Sequence, residues 1–327
     1  MQPLLIVCVA LSIEKLIPIS SSIDPLCFFR FVCQRMAAKV LRQSYSPKQI
    51  VISGSLALMS LVVPLLVLVY IVLQFASYQW VLDIILLWIL LQFTGNLRVV
   101  QRSVDALNAN KKQLAKELLQ QVLLRDTQTL SPLGLKKASH ETVFLRYHHQ
   151  QFTTILCYLL LGPISALCYR LCYEANQVWN IKLKAFRYFG RVASVITQIV
   201  QLPASLLMSI TFILINNPKT LISYIQEQKF IASLKQALSF YGNQSLLLQT
   251  LSSALCIHTG GPLMYGGIKC KRPRYSMLNS GDKQENNQIC SREPSTLSLN
   301  TLKSFINRHL IVSLIISTWI LLWSYPN

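Results

Sequence analysis

Residues 50–75 carry no charge and consist mostly of aliphatic side chains. A helix of this length, rising about 1.5 Å per residue, crosses the roughly 30 Å hydrocarbon core of a bilayer. Further apolar stretches lie at residues 3–19, 80–97, 152–169, 192–215 and 310–324. We therefore predict an all-α, polytopic integral membrane protein with about 5–6 membrane-embedded helices and additional amphipathic cytoplasmic helices.

The chain is basic, with 31 Lys and Arg against 12 Asp and Glu, yet charged residues make up only 13% of it. Soluble domains carry about 25% charged residues. The basic residues fall almost wholly between the apolar stretches, as in membrane proteins whose cytoplasmic loops are rich in Lys and Arg. Membrane topology therefore explains the charge better than nucleic acid does. We expect contacts with membrane lipid and none with nucleic acid.

Two segments follow this positive-inside pattern. Residues 24–49 are basic and carry apolar side chains at helical spacing, which predicts an amphipathic helix on the membrane surface. Residues 98–146 contain nine Lys or Arg against four Asp or Glu. We therefore place the loop 94–151 in the cytoplasm, together with residues 24–49.

An acidic residue, Glu14, lies near the end of the first apolar stretch and is followed by Lys15. Ionisable side chains in membrane segments often serve a function. The alternative is that both side chains extend to the membrane interface, where water solvates their charges.

The cytoplasmic loop contains the motif Arg125-Asp126-Thr127 just after a predicted helix. A carboxylate beside an Arg and a hydroxyl can hold a metal-bound phosphate or a hydrogen-bonding substrate. The alternative is that Asp126 or Thr127 simply caps a helix that begins near Ser131.

A basic strip between Lys182 and Arg191 conflicts with simple topology. If the apolar stretches on both sides crossed the membrane fully, the strip would lie outside, against the positive-inside rule. We therefore expect one of the two stretches, 152–169 or 192–215, to be re-entrant or only partly embedded. Gly162-Pro163 is also expected to kink or break the first of them.

The segment from His258 to Gly267 contains four glycines, a Pro and a Tyr. It matches neither a Walker A loop nor a Gly-x-Gly-x-x-Gly motif, so any nucleotide site is of another kind. Before it, amphipathic helices are predicted from Asn217-Pro218 to about residue 257. After it, the polar residues 275–300 predict a flexible linker before the last membrane helix.

Several short motifs, in this order and spacing, resemble the CobD/CbiB family of membrane adenosylcobinamide-phosphate synthases. They are Arg125-Asp126-Thr127 with Leu130-Ser131, Glu141, Ala166-Leu167 with Tyr169-Arg170, Tyr188-Phe189-Gly190, Pro203-Ala204, and Gly260-Gly261-Pro262 with Tyr265. Asn243, seventeen residues before Gly260, falls where the family carries an Asn. The similarity extends over roughly residues 24–310 and implies that residues 1–327 form a single membrane domain of CobD/CbiB type.

This resemblance implies an ATP- and Mg²⁺-dependent, amide-forming ligase of cobalamin biosynthesis in the bacterial inner membrane. Its substrates would be adenosylcobyric acid, a corrinoid, and aminopropanol or its phosphate. Other corrinoid-assembly membrane proteins are further expected partners. Such a reaction activates a carboxylate, so phosphates, Mg²⁺, carboxylates and basic side chains must meet.

The resemblance also assigns roles to individual residues. Asp126 and Glu141 are the expected catalytic carboxylates, and Asp126 is the expected Mg²⁺ ligand. The expected substrate-binding residues are Arg125, Thr127, Lys182, Asn243, Gly260, Gly261 and Tyr265.

The chain departs from the family pattern at residues 145–150, 173–177 and 182–186, where it lacks several acidic and amide side chains. Basic residues at these positions reverse the charge expected of a magnesium site. A second hypothesis is therefore a non-catalytic, regulatory or sensor protein like the AmpE-like branch, whose first helix resembles Ile13-Glu14-Lys15. The ligase and the regulator both remain open from the residues alone.

Overall fold

The computed structural model describes residues 2–19, 24–41, 45–123, 125–216, 218, 243–255, 257–265, 268–270, 272–275 and 298–324. Of the residues that the structure describes, 82% are helical. The predicted helices between residues 217 and 243 lie outside the described residues, and so does most of the predicted linker 275–300. The first residue of that predicted linker belongs to a short strand, and its last two residues begin the last helix.

Twelve α-helices follow one another in the described part of the chain. They are α1 Gln2–Leu16, α2 Pro25–Val40, α3 Pro47–Phe75, α4 Gln79–Leu91, α5 Phe93–Asn108, α6 Lys112–Val122, α7 Pro132–Arg146, α8 Thr153–Leu161, α9 Pro163–Val178, α10 Arg191–Asn216, α11 Gln244–Leu255 and α12 Leu299–Ser324. A π-helical segment, Tyr147–Phe152, connects α7 to α8, and a short 3-10 helix covers Lys184–Phe186.

Three helical segments are long and apolar enough to cross a membrane, namely Pro47–Phe75, Gln79–Asn108 and Arg191–Asn216. They identify a membrane protein, but they do not confirm the predicted number of 5–6 embedded helices. The first apolar stretch forms only the 15 residues of α1. The stretch 152–169 is broken at Gly162, so α8 contains only 9 residues. The predicted break at Gly162-Pro163 is confirmed.

The chain divides into two compact units. Unit 1 contains residues 1–95, 149–201 and 318–327, and unit 2 contains residues 96–148 and 202–317. In unit 1, α9 packs against α2, α3, α4 and α8. The amphipathic helix predicted within 24–49 is confirmed as α2, which Asp24 caps and which buries Leu26, Phe29, Cys33 and Ala37 at helical spacing.

Two glycines of unit 1 lie at close backbone contacts. A Cβ atom on Gly190 would lie 1.8 Å from the Trp179 carbonyl oxygen, and one on Gly54 would lie 2.1 Å from that of Phe189. The Phe189 ring also packs edge-on against Trp179, with ring centroids 4.9 Å apart. Tyr188-Phe189-Gly190 therefore helps to pack the helices of unit 1.

Glu14 is buried, so its carboxylate does not extend to the membrane interface. It accepts hydrogen bonds from the backbone N–H of Thr94, at 2.5 Å, and from the Thr94 hydroxyl, at 2.7 Å. Thr94 lies in the first turn of α5, whose N–H groups have no partner within the helix. Glu14 therefore caps α5 from another helix.

In unit 2, α7 packs against α6 and α11. The Gly-rich segment forms short antiparallel strands, which the all-α prediction missed. Strand β1 (Thr259–Gly260) pairs with β4 (Arg274–Tyr275), and β2 (Leu263–Tyr265) pairs with β3 (Ile268–Cys270). These strands come after α11 in the chain. They place the backbone of the Gly260-Gly261 motif against Glu141 of α7.

Candidate functional site

The Arg125-Asp126-Thr127 segment is held in place from both sides. The Asp126 N–H donates to the Met264 carbonyl of β2 at 3.0 Å, which joins two motifs that are far apart in sequence. Thr127 is buried; its N–H donates to Gln120 of α6 at 3.0 Å, and its hydroxyl lies 2.8 Å from the same Gln120 oxygen. Thr127 therefore anchors the loop to α6.

Asp126 does not cap α7. One of its carboxylate oxygens accepts the Gln128 N–H at 2.9 Å and so closes a local turn. Ser131 caps α7 instead, by accepting the Gly134 N–H at 3.1 Å. The alternative role for Asp126 and Thr127 as helix caps is therefore wrong. Asp126 is half-buried at the edge of the loop.

Glu141 of α7 is the centre of the site. One of its oxygens accepts the Gly260 N–H at 2.8 Å, and the other lies 2.8 Å from Arg272 and 3.6 Å from Arg125. Only 3% of the Glu141 side chain is exposed. A single buried carboxylate thus joins the Arg125 segment, the Gly260-Gly261 turn and the residues before β4.

The surrounding cations determine the charge state of Glu141. Burial alone would raise the pKa of its carboxyl, but Arg272 and Arg125, together with Lys137, hold that pKa below its ordinary value. Glu141 is therefore an anion at neutral pH.

Lys137 lies one helical turn before Glu141 on α7. Its surroundings disfavour its charged form, whereas those of Glu141 favour the charged form. Burial lowers the pKa of its ammonium group, Glu141 raises it, and Arg272, Arg274 and Arg125 lower it further. The net shift is downward because three nearby cations and burial outweigh one carboxylate. We call Arg125, Lys137, Glu141, Arg272 and Arg274 together the Glu141 cluster.

The turn at Gly260 and Gly261 requires glycine at both positions. Their φ angles are +77° and +99°, in the left-handed region that glycine adopts most easily. A Cβ atom on Gly260 would also lie 2.4 Å from the Pro273 carbonyl oxygen and 2.8 Å from the Tyr275 ring. The Gly261 N–H donates to that same Pro273 oxygen at 2.9 Å, so β1 and β4 lie in tight contact.

The structure brings together most of the predicted site residues of unit 2, but not all of them. Asn243 is buried just before α11, where its carbonyl accepts the Leu247 N–H at 3.1 Å. Tyr265 ends β2, and its side chain lies outside the described residues. Lys182 belongs to unit 1, where it is half-buried in the segment after α9.

Sequence reasoning missed three members of the Glu141 cluster: Lys137, Arg272 and Arg274. The signals for them were weak but present. Lys137 and Glu141 are four residues apart and so share a helix face. Arg272 and Arg274 belong to a basic run immediately after the Gly-rich segment.

The donor set of this site does not fit a resident Mg²⁺ ion. Within the described ranges, no group of three or more His, Cys, Asp or Glu side chains lies close enough to hold a metal. Glu141 is surrounded by cations, and both of its oxygens already have partners. Asp126 offers one carboxylate, and Mg²⁺ needs further oxygen ligands from substrate or water.

Unit 1 contains a second group of buried charges, the Glu174 cluster, formed by Asp24, Arg30, Arg170 and Glu174. Glu174 pairs with Arg170 at 2.9 Å and with Arg30 at 3.0 Å, and Arg30 also pairs with Asp24. The Arg170 side chain is completely buried. Burial alone would lower the pKa of Arg30, but Glu174 and Asp24 raise it.

The sequence model of the CobD/Cbib protein family matches residues 7–292 of the chain. A protein from Chromobacterium violaceum, named Cobalamin biosynthesis protein CobD, is 25% identical over 169 residues, or 51% of this chain and 52% of its own. Proteins of the same name are 23% identical in Sinorhizobium fredii, over 56% of each chain, and 22% identical in Stutzerimonas stutzeri, over 65% of this chain and 68% of its own.

The matched region therefore spans about half the length of the first two relatives. No solved structure matches the chain. The family match, in contrast, includes both the Glu141 cluster and the Glu174 cluster. Since it extends over most of the sequence, the protein belongs to the CobD/Cbib protein family.

Proposed function

We propose that the protein is an adenosylcobinamide-phosphate synthase-like ligase that joins adenosylcobyric acid to aminopropanol or its phosphate by an ATP-dependent amide bond. The observation that carries the proposal is the buried Glu141 carboxylate, which contacts both Arg125 and the Gly260 N–H. These are the two motifs on which the family resemblance chiefly rests. Their assembly around one carboxylate supports a shared site.

The chemistry of amide formation agrees with a cationic site. In the proposed reaction, ATP transfers its terminal phosphoryl group to an oxygen of the corrinoid carboxylate, giving an acyl phosphate and ADP. The amine nitrogen then forms the C–N bond and loses a proton, and phosphate leaves with that carboxylate oxygen. Fixed Arg and Lys side chains stabilise the negative charge on the transferred and departing phosphate.

The residues of the site divide this work. Arg125 and Arg272 are fixed by Glu141 and so present their charge without reorganisation. Asp126, which is half-buried and follows Arg125 in the chain, is the carboxylate we assign to the amine or to a substrate-borne Mg²⁺. Glu141 acts as a positioning residue because both of its oxygens are engaged by the protein itself.

We place the site at the cytoplasmic face of the bacterial inner membrane, where the basic loops face inward. ATP would then be available to it directly. The alternative of a non-catalytic AmpE-like regulator gains no support from the relatives described above.

Complementation of a bacterial strain lacking its own cobinamide-phosphate synthase tests the proposal, on medium where growth requires cobalamin made from cobyric acid. We expect growth with the unaltered protein and none with Asp126→Ala. Asp105→Ala is the matched control, because Asp105 is an exposed acid on α5 in the same loop. Equal insertion of all three proteins is checked by immunoblot of membranes. An inserted, unaltered protein that never restores growth would refute the ligase assignment.

A further inference from the structure

Two cationic side chains converge beside Gly261. A Cβ atom placed on Gly261 would lie 3.9 Å from the Lys137 ammonium nitrogen, 3.9 Å from the Arg274 Nε and 3.7 Å from the Arg274 Cγ. A small group at this point would therefore reach both cations.

Among the described residues, the charges of the Glu141 cluster do not balance. Arg125, Lys137 and Arg272 act on the one carboxylate, and Arg274 acts on Lys137. Arg272 and Arg125 already occupy one Glu141 oxygen, and the Gly260 N–H occupies the other. In the part of the chain that the structure describes, neither the Lys137 ammonium nor the Arg274 guanidinium has a hydrogen bond or an ion pair.

Holding like charges together costs free energy unless an anion joins them. Lys137 is half-buried and Arg274 is exposed, whereas Gly261 itself is buried. A phosphate group suits such a position because it offers several acceptor oxygens to ammonium and guanidinium donors.

We propose that Lys137 and Arg274, beside the Gly261 turn, form a subsite that binds the dianion of a phosphate monoester directly, without a divalent metal ion. This subsite deepens the proposed function, on which it rests, by naming the chemistry of one group of the substrate. Arg272 and Arg125 surround it, and Glu141 keeps those two guanidinium groups in position. Gly261 contributes space, since its N–H is already bonded to Pro273.

Anion binding at the subsite is coupled to the protonation of Lys137. The pKa of the Lys137 ammonium is held down by burial and by the neighbouring cations. A bound dianion reverses part of that shift, so binding is coupled to proton uptake and weakens as pH rises.

Isothermal titration of the full-length protein in neutral detergent, with EDTA present, tests the subsite with inorganic phosphate and propyl phosphate. Sodium chloride of equal ionic strength controls for screening. We expect Lys137→Gln and Arg274→Gln each to weaken binding by about tenfold or more, the effect of losing one charge-assisted hydrogen bond. Lys136→Gln is the matched control, with the same loss of charge one residue away, and it should bind like the unaltered protein.

Two further arms identify the source of the phosphate group and the role of metal. Micelles containing phosphatidic acid replace propyl phosphate in one arm, and Mg²⁺ replaces EDTA in the other. Tighter binding of the soluble ester indicates a substrate, and tighter binding of the micelles indicates a lipid headgroup. The subsite is refuted if Lys137→Gln binds phosphate as well as Lys136→Gln does, or if binding appears only with Mg²⁺.

The complementation assay separates this inference from the proposed function. Growth with the unaltered protein, combined with equal phosphate binding by Lys137→Gln and Lys136→Gln, overturns the subsite and leaves the ligase standing. Phosphate binding that depends on Lys137, combined with no growth, overturns the ligase and leaves a metal-free phosphate site.

Discussion

The Glu174 cluster of unit 1 and the Glu141 cluster of unit 2 both bury charge, but only the first is balanced. Two guanidinium groups face two carboxylates in the Glu174 cluster, and Gln92 also donates to Asp24. In the described part of the Glu141 cluster, three cations act on one carboxylate, and Arg274 adds a fourth positive charge beside Lys137. A charge-balanced group needs no further ion, whereas an unbalanced one can accept an anion from outside. The difference distinguishes a structural group of charges from a candidate site.

One departure from the family pattern lies in the Glu174 cluster. Glu174 lies in the segment 173–177, where acidic and amide residues of the family are missing. The remaining acid forms ion pairs with Arg30 and Arg170, and the Arg170 guanidinium also lies 5.1 Å from the Tyr173 ring centre. Glu174 therefore compensates the buried Arg170 and the half-buried Arg30 within unit 1.

The largest expected effect is that of Glu174→Ala. The substitution leaves the completely buried Arg170 without its counter-ion, which costs about 3–5 kcal/mol of unfolding free energy. Denaturant unfolding of the purified protein in detergent measures this loss. Glu117→Ala, which removes an exposed acid, should change stability little. Added phosphate should not restore the Glu174→Ala protein, and restoration would break the distinction between the two clusters.

Glu141→Gln should have a smaller effect, about 2 kcal/mol, because the amide oxygen still accepts the Gly260 N–H. The cost comes from Arg272 and Arg125, which lose their counter-ion. Since an anion can take over part of that role, phosphate should stabilise Glu141→Gln more than the unaltered protein. Thermal unfolding with and without phosphate gives the measurement. An equal phosphate effect in both proteins would argue against anion access to the cluster.

The pH dependence of stability gives a third contrast. The pKa of Glu141 is lowered from 4.5, so its contribution is fully present above that value and is lost as pH falls through the lower, folded-state pKa. We expect the stability of the unaltered protein to fall more steeply with acidification below pH 4.5 than that of Glu141→Gln. Melting temperatures of the two proteins across this range test the sign. Parallel curves would show that Glu141 does not keep its charge in the folded state.

The smallest expected effect is a gain in stability for Lys137→Gln. Lys137 has a lowered pKa, so its charged form opposes folding at neutral pH, and the opposition fades as pH rises through the folded pKa toward 10.5. Lys137→Gln should therefore raise the melting temperature slightly at pH 7 in the absence of phosphate, and Lys136→Gln should leave it unchanged. A lower melting temperature for Lys137→Gln alone would mean that Lys137 serves the fold itself.

The local pattern of the sequence predicted much of the helical framework. The uncharged run at 50–75 became a spanning helix, and the break at Gly162-Pro163 and the amphipathic α2 followed from Pro, Gly and helical spacing. The number of embedded helices did not follow. Apolar composition does not distinguish a short helix with one face packed against protein, such as α1, from one long enough to span the membrane.

The candidate site was predicted only in part. The motifs at Arg125 and Gly260 were recognised in the sequence, and the structure places both against Glu141. The partner that matters most to Glu141, Arg272, lies 131 residues away along the chain. Residue type and spacing do not identify a contact of that separation.

By itself, the sequence determined that the chain would form membrane-grade helices separated by basic segments, because hydrophobic length and charge act locally along the chain. Only the tertiary structure decided which charges would be compensated. Four residues in unit 1 neutralise one another, while in unit 2 the cations gathered by α7 and the strands outnumber their carboxylate. Electrostatic energy depends on distance and burial rather than on order in the chain, so this imbalance arises only when the fold brings the cations together.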